Sequence, residues 1–182
     1  MVYIFLADGF EEIEALTVVD VLRRADIEIK MVSVMDKTVT GGHGIMVQAD
    51  CLIDEINGED ADMFVLPGGM PGTTNLEKNE RLQEFLKYAV DNKVWIAAIC
   101  AAPIILGNKG YLKDMHCICF PGFEKYLQGA VIKDNHVNIS GKFITSKGPG
   151  TALDFAYTIV SILKDDDTAH RLKVQMQYAN HY

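Results

Sequence analysis

The strongest constraint on the fold is the stretch from Val94 to Pro103, in which a strand runs directly into a helix. Residues 94–99 form an uninterrupted apolar run of strand length, which is typical of a central parallel strand covered on both faces. Pro103 suits the first turn of a helix, where its missing N–H leaves no hydrogen bond unmade. The pattern therefore predicts that Cys100 lies at the corner between a strand and a helix.

This corner gives Cys100 two interpretations. Small residues follow it, so the backbone can bend tightly, as it does in the nucleophile elbow of hydrolases. The N–H groups and positive dipole end of the following helix would favour the thiolate, which is the reactive form. A buried cysteine, however, more commonly packs as a small hydrophobic residue. The local stretch leaves both interpretations open.

The rest of the chain alternates strands with helices. Apolar or alternating runs predict strands at 2–7, 27–34, 62–66, 115–120 and 142–146, and helical spacing predicts helices at 12–25, 79–92, 121–127, 150–163 and 165–178. Short strands at 38–40 and 45–48 are expected outside the main sheet, and residues 130–139 are expected to form a hairpin. The order predicts one α/β domain over residues 1–182, with a doubly wound, mostly parallel sheet and helices on both faces.

In such a sheet, ligands bind beyond the carboxyl ends of the strands. Four loops are expected to converge there: Asp8–Glu14, Pro67–Gly72, Ile99–Ala102 and Lys147–Thr151. The three glycines of 67–72 allow backbone N–H groups to approach a ligand or a developing oxyanion, although a plain sharp turn also favours glycine and proline. Neither Gly-x-Gly-x-x-Gly nor a P-loop pattern occurs, so no nucleotide or other cofactor is predicted.

The net charge and the cysteines limit which binding partners and which cellular compartment are expected for this protein. The 182 residues carry a formal net charge of −8, which argues against nucleic acid and anionic membranes as partners. The apolar start lacks the basic region of a signal peptide and is ended by Asp8 too early to span a bilayer. The four cysteines have no framework spacing and are expected to be reduced thiols, which indicates a cytoplasmic protein.

A metal site is the alternative interpretation of His116, Cys117 and Cys119. Strand alternation would place the two cysteines on one face and His116 on the other, and structural zinc sites usually show C-x₂₋₄-C pairs. Core packing is the better interpretation, so no metal is predicted.

Five motifs carry a family resemblance. They are residues 9–15 (GFEEIEA), 19–25 (VDVLRRA), 65–69 (VLPGG), 97–103 (AAICAAP) and 145–151 (TSKGPGT). In this order they resemble the ThiJ/PfpI superfamily over nearly the whole chain, most closely the DJ-one-like branch of the parkinsonism-associated protein deglycase. The resemblance implies a flavodoxin-like fold, similar to class I glutamine amidotransferases, and a homodimer, which the adjacent Val18 and Val19 on the first helix weakly favour.

The resemblance also implies roles for individual residues. Cys100 would be the nucleophile, Glu14 would hydrogen-bond its thiolate, and the backbone of Gly68, Gly69 and Ala101 would form an oxyanion hole. Phe120, Lys147 and Pro149 would line the pocket. A carboxyl group beside a thiolate is kept protonated by the like charge, so Glu14 can serve as general acid and base. Glu11 and Glu12 are explained by the helix dipole alone.

The chain lacks histidine at the two positions where members of the family carry a catalytic one. Phe120 stands where deglycase-like members often have histidine, and Ala101 stands where the peptidase-like branch has one. A Cys–His peptidase reaction is therefore disfavoured, because amide cleavage needs a group to protonate the leaving amine. His43, His116 and His136 are simpler to interpret as turn or strand surface.

The function predicted first is a cysteine-dependent enzyme acting on small α-oxoaldehydes such as methylglyoxal, or on their adducts with amines. The alternative is an oxidative-stress sensor in which Cys100 stops at sulfinic acid, and a chaperone-like or structural role is the third. The family labels of intracellular protease and thiazole monophosphate biosynthesis find no support in these residues.

Overall fold

The computed structural model describes residues 1–178, and its centre is a seven-stranded sheet. The strands are β1 (Val2–Leu6), β2 (Ile29–Ser33), β5 (Cys51–Leu52), β6 (Met63–Leu66), β7 (Trp95–Ile99), β10 (Val137–Ser140) and β11 (Phe143–Ser146). Their order is β10-β11-β7-β6-β1-β2-β5, and every pair is parallel except β10 with β11. The predicted mostly parallel sheet is confirmed.

Helices cover both faces of this sheet. They are α1 (Glu12–Arg24), α2 (Gly72–Lys78), α3 (Glu80–Asn92), α4 (Pro103–Asn108), α5 (Ala152–Leu163) and α6 (Asp166–Gln175). Buried apolar side chains of α1, α5 and α6 pack in one cluster, and those of α2, α3 and α4 pack in a second. Alternate residues of β1 join different clusters, Ile4 the first and Phe5 the second, because a strand points successive side chains to opposite faces. The doubly wound arrangement is thereby confirmed.

Two short ribbons lie outside the main sheet. Strands β3 (Thr38–Thr40) and β4 (Met46–Gln48) pair antiparallel, which confirms the predicted excursion. Strands β8 (His116–Cys117) and β9 (Val131–Ile132) pair in parallel. The predicted hairpin at 130–139 is wrong, because β9 pairs with β8 whereas β10 pairs with β11 in the main sheet.

Other boundaries differ from the sequence predictions where local turns interrupt the periodicity. The strand expected at 115–120 is regular only at β8, and the helix expected at 121–127 is a 3₁₀ turn at Glu124–Tyr126. Two further 3₁₀ turns are Ile53–Glu55, after β5, and Pro149–Thr151, which precedes α5. Helix α2 and the edge strand β5 were not predicted, since each is short and glycine or polar residues obscure its pattern.

The parallel order brings the predicted loops to one edge of the sheet. The Glu11 N–H donates to the Gly68 carbonyl at 2.9 Å, and the Cys100 N–H donates to the Ser146 carbonyl at 3.0 Å. The loops after β1, β6, β7 and β11 therefore meet beyond the carboxyl ends of their strands, as expected for this architecture.

Candidate active site

Cys100 occupies a strained turn between β7 and α4. Its φ angle is +64°, in the left-handed region that residues other than glycine seldom adopt. The turn is held on both sides: the Cys100 N–H donates to Ser146, and the Cys100 carbonyl accepts from the Phe120 N–H at 2.8 Å. Backbone strain of this kind persists only where the surroundings fix it, and it occurs mostly at functional sites. The sharp corner expected from the sequence is present.

Glu14 lies on the first turn of α1 and is completely buried. Its Oε2 accepts a hydrogen bond from the Gly68 N–H at 2.7 Å, whereas its buried Oε1 has no hydrogen-bond partner. A Cβ atom placed on Gly68 would lie 2.6 Å from the Cβ of Cys100 and 2.7 Å from the Glu14 Oε2. Glycine at this position therefore allows the carboxyl group and the thiol to share one small space.

Burial controls the protonation of this pair. It raises the pKa of Glu14 to about 7, against the hydrogen bond from Gly68 and the contact with the Cys100 thiol, which lower it. Burial also raises the pKa of Cys100, and an ionised Glu14 raises it further by charge repulsion. The helix-based expectation of a low thiol pKa is therefore wrong in direction. Above about pH 7 the pair keeps one proton and one negative charge between them.

Two backbone N–H groups contact the sulfur of Cys100. Those of Gly69 and Ala101 both stabilise the thiolate and so lower the pKa of Cys100. The Gly68 N–H is held by Glu14 instead, so it is not available to an oxyanion while that hydrogen bond lasts. Gly69 has a φ angle of +88°, and a Cβ there would lie 2.5 Å from the Glu11 backbone nitrogen. This backbone course therefore requires glycine.

Phe120 stands at the rim of the corner. Its backbone bonds to Cys100, and its side chain is 42% exposed. The ring packs edge-on against Phe123, with centroids 6.4 Å apart, and lies against the backbone of Gly148. The expected imidazole position is thus occupied by an apolar side chain that reaches toward the loop after β11.

Lys147 and Pro149 belong to that same loop. The Lys147 ammonium forms a salt bridge with the exposed carboxylate of Asp134. Pro149 begins the 3₁₀ turn before α5 and, with Ile13 of α1, lines a separate cavity of about 230 Å³. Both residues lie at the expected edge of the sheet, and their direct participation in chemistry remains a prediction.

The histidines are placed on the surface. His136 is 69% exposed and bonds to Asp154 through Nδ1 at 2.7 Å, and His116 is exposed on β8. The Nδ1 of His43, in the turn between β3 and β4, lies 2.8 Å from Glu12 and 3.8 Å from Glu11.

Glu11, Glu12 and His43 are the one group in residues 1–178 with three potential metal-ligand atoms within 4.8 Å of one another. Glu12 also accepts hydrogen bonds from the His43 and Ile45 N–H groups. Burial raises the pKa of Glu12, but the hydrogen bond with the His43 ring, together with those from the backbone N–H groups, outweighs it and lowers the pKa to about 2. The contacts therefore explain Glu12 as an anchor for the turn. Sequence reasoning missed this anchor because His43 lies 31 residues away.

The other cysteines have different surroundings. All four are free thiols; Cys117 and Cys119 are buried in the apolar core and His116 points away from them. This is the packing expected from strand alternation.

Among residues 1–178, no helix is both long and apolar enough to cross a membrane.

Comparison with known proteins identifies relatives over most of the chain. The DJ-1/PfpI family model matches residues 1–162. The chain is 35% identical over 166 residues to Protein DJ-1 homolog A of Arabidopsis thaliana, covering 89% of this chain but 42% of that longer protein. It is 31% identical over 163 residues to glutathione-independent glyoxalase DJR-1.2 of Caenorhabditis elegans, covering 89% and 87% of the two chains.

A solved structure extends the similarity to the fold. Oxidized DJ-1 of Toxoplasma gondii superposes with a TM-score of 0.94 at 34% identity, covering 98% of each chain. The mostly parallel sheet with helices on both faces is the flavodoxin-like fold of these proteins. By its motifs, its fold and its relatives, this chain belongs to the DJ-1/PfpI family.

Proposed function

We propose that the protein is a cysteine-dependent enzyme that converts small α-oxoaldehydes to hydroxyacids without glutathione. The observation that carries the proposal is the buried contact of Cys100 with Glu14 beside the N–H groups of Gly69 and Ala101, where burial raises the pKa of Glu14 to about 7 and so allows it to hold or release a proton near neutral pH. Such a pair supplies a nucleophile, a proton carrier and stabilisation of an oxyanion within one site. The similarity to a protein named as a glutathione-independent glyoxalase supports the same chemistry.

The reaction balances without a cofactor. The Cys100 thiolate forms a bond to the aldehyde carbon of methylglyoxal, and the resulting oxyanion takes the proton held by Glu14. Glu14, now ionised, removes the hydrogen of the former aldehyde carbon as a proton and leaves an enediolate, in which the hydroxyl proton on that carbon passes to the former ketone oxygen. Glu14 then returns its proton to the former ketone carbon, which leaves a thioester of the hydroxyacid. Water then hydrolyses the thioester, releasing lactate and the thiol. The aldehyde carbon is oxidised and the ketone carbon is reduced, so no external oxidant is required.

The same pair supports reversal of oxoaldehyde adducts on amines as a related activity. In that reaction Glu14 would protonate the departing amine, the role for which the chain has no histidine in the family position. The exposed Phe120 at the rim contributes apolar surface and no proton. Glu14 is accordingly the proposed proton carrier for either substrate.

A redox role is the second candidate, and the unpartnered Oε1 of Glu14 favours it. A protonated Glu14 can donate a hydrogen bond to a sulfinate on Cys100, which would stabilise that oxidation state. Peroxide treatment followed by peptide mass spectrometry distinguishes the two roles. A sensor would accumulate sulfinic acid at Cys100 at low peroxide excess while showing no oxoaldehyde turnover.

A homodimer and a cytoplasmic location complete the proposal. Val18 and Val19 are buried in the core, so they cannot supply the dimer contact for which the sequence suggested them. Ile13, which is 56% exposed on α1, is the apolar side chain of that helix available to a second copy. Four unpaired thiols suit the reducing cytoplasm. Sedimentation at micromolar concentration tests the dimer, and a species of one chain's mass would remove it.

The deciding experiment is lactate production from methylglyoxal by the purified protein. Cys100→Ser should abolish it, whereas Cys51→Ser is the matched control because Cys51 is half-buried on the edge strand β5. Equal lactate formation by the parent and Cys100→Ser would refute the enzyme assignment.

A further inference from the structure

A second cavity lies at the opposite end of the central strands from Cys100, near the starts of β7 and β11. It has a volume of about 350 Å³ and lies between α3, the strands β7 and β11, and the segment 111–115. Its lining is mostly carbon: Ala89, Val90, Val94, Ile96, Tyr111, Met115 and Phe143, with Lys93, Gly141 and Lys142. Small-molecule sites are typically apolar cavities of roughly 300–1,000 Å³ with a few polar groups, and this cavity fits that description.

The polar side-chain groups of this cavity have no ion-pair or hydrogen-bond partner among residues 1–178. Lys93 and Lys142 form no ion pair, and the Tyr111 hydroxyl forms no hydrogen bond, with any residue in 1–178. The Lys142 ammonium lies 4.3 Å from the centre of the Trp95 ring, which leaves its positive charge uncompensated by a carboxylate. Two exposed lysines and a tyrosine therefore belong to the lining of a mostly apolar cavity, in a protein whose net charge is −8.

The charges of an adjoining cavity indicate the position that an anion would favour. This larger cavity, of about 610 Å³, also includes Lys93, Val94 and Lys142, so the two cavities meet at the lysines. Its lining adds three carboxylates, Asp26, Glu28 and Asp62, against two cations, the Met1 ammonium that pairs with Asp62 and the Lys164 side chain, so away from Lys93 and Lys142 negative charges outnumber positive ones. The favourable position for a negative group is the shared rim, with the apolar part of the ligand in the smaller cavity.

We propose that this cavity binds a small amphiphilic carboxylate, such as a medium-chain fatty acid, with its carboxylate between Lys93 and Lys142. The charge complementarity of the rim and the carbon lining of the cavity both select such a ligand. An alkyl chain without a charge would leave the lysines unused, and a small polar anion would leave the apolar lining in contact with water. This site is independent of Cys100, and its occupancy does not require the proposed enzyme activity.

Isothermal titration calorimetry with decanoate tests the proposal on the full chain. Decanoate should bind, and affinity should rise by about twofold to fourfold per methylene from octanoate to decanoate, because each methylene is transferred from water. Decanol should bind without dependence on the lysines. Trp95 is the single tryptophan, and its ring contacts Lys142. Its fluorescence should therefore change as decanoate is added.

Variants separate the site from nonspecific binding. The double variant Lys93→Met and Lys142→Met should weaken decanoate at least tenfold while decanol is unchanged, and Val90→Phe should block both by filling the cavity. Lys109→Met is the control, since Lys109 is exposed and lines neither cavity. Undetectable decanoate binding, equal binding by the double variant, or binding of anionic phospholipid vesicles without binding of free decanoate would each overturn the proposal.

Discussion

Two cysteine-bearing regions of this molecule have similar sequences and different chemical surroundings. Cys100 follows an apolar strand, and Cys117 and Cys119 lie in another apolar stretch. Burial raises the pKa of all three thiols, to about 11 for Cys117 and about 12 for Cys119. Of these three thiols, Cys100 alone also contacts a buried carboxyl group, that of Glu14, and two backbone N–H groups that stabilise its thiolate.

Burial alone does not distinguish Cys100, the proposed nucleophile, from the cysteines packed in the core. Cys117 is 0% exposed and its pKa shift has burial as its single cause. Cys100 instead combines a positive φ angle with a carboxyl group whose pKa lies near neutrality. The proposed reactivity of Cys100 therefore depends on Glu14, the partner that can hold or release its proton.

The largest expected effect on activity, apart from removal of the thiol, follows from removal of that partner. Glu14→Gln keeps the size of the side chain and an oxygen to accept the Gly68 N–H, but it cannot carry a proton. General acid and base assistance is typically worth about 10²–10⁴-fold, so lactate formation should fall by at least the lower figure. Glu11→Gln is the matched control one residue before α1, and it should retain most activity. Retention of most activity by Glu14→Gln would require another proton source.

A smaller effect, on stability rather than turnover, is expected in the other cysteine region. Cys117→Ser places a hydroxyl in an apolar core with no partner prepared for it, which should cost about 1–3 kcal/mol of unfolding free energy. Urea denaturation would measure the loss, and lactate formation per folded molecule should remain at the parent level. A loss of turnover in the folded variant would remove the contrast between the two regions.

The smallest effect is expected at Phe120. Phe120→His should keep the fold, because the side chain is partly exposed and contacts Phe123 and the Gly148 backbone rather than the core. The new imidazole titrates near neutrality and can assist Glu14, so turnover should rise modestly in the parent background. In the Glu14→Gln background it should restore part of the lost activity. Absence of any restoration would show that position 120 does not reach the reacting atoms.

Sequence patterns predicted those parts of the molecule that depend on local periodicity. The apolar run before Cys100 and Pro103 after it predicted the corner, and the spacing in 12–25 predicted helix α1. Residues 130–139 were misassigned because strand pairing there depends on distant partners, β8 and β11, that local alternation cannot identify.

The site was predictable in its members more than in its electrostatics. The motifs indicated Glu14 and Cys100, but the effect of the helix end was overestimated because α4 is only six residues long and burial of the thiol dominates. The engagement of the Gly68 N–H by Glu14 and the anchoring of the His43 turn by Glu12 both join residues far apart in sequence. Such contacts follow from the fold and have no local signal.

The rate of Cys100 alkylation by iodoacetamide, followed by peptide mass spectrometry from pH 5 to pH 10, tests the shared-proton account most directly. Below about pH 7 the pair holds two protons, and above it the pair holds one. In the singly protonated pair the proton can lie on Glu14 with Cys100 as the thiolate, so the rate in the parent should rise through an apparent pKa of about 7. In Glu14→Gln the thiol must ionise alone against its burial, so the rise should move to more alkaline pH. Cys100 should react faster than Cys51, Cys117 and Cys119 at pH 7.5. An unchanged profile in Glu14→Gln, or faster alkylation of another cysteine, would contradict the account.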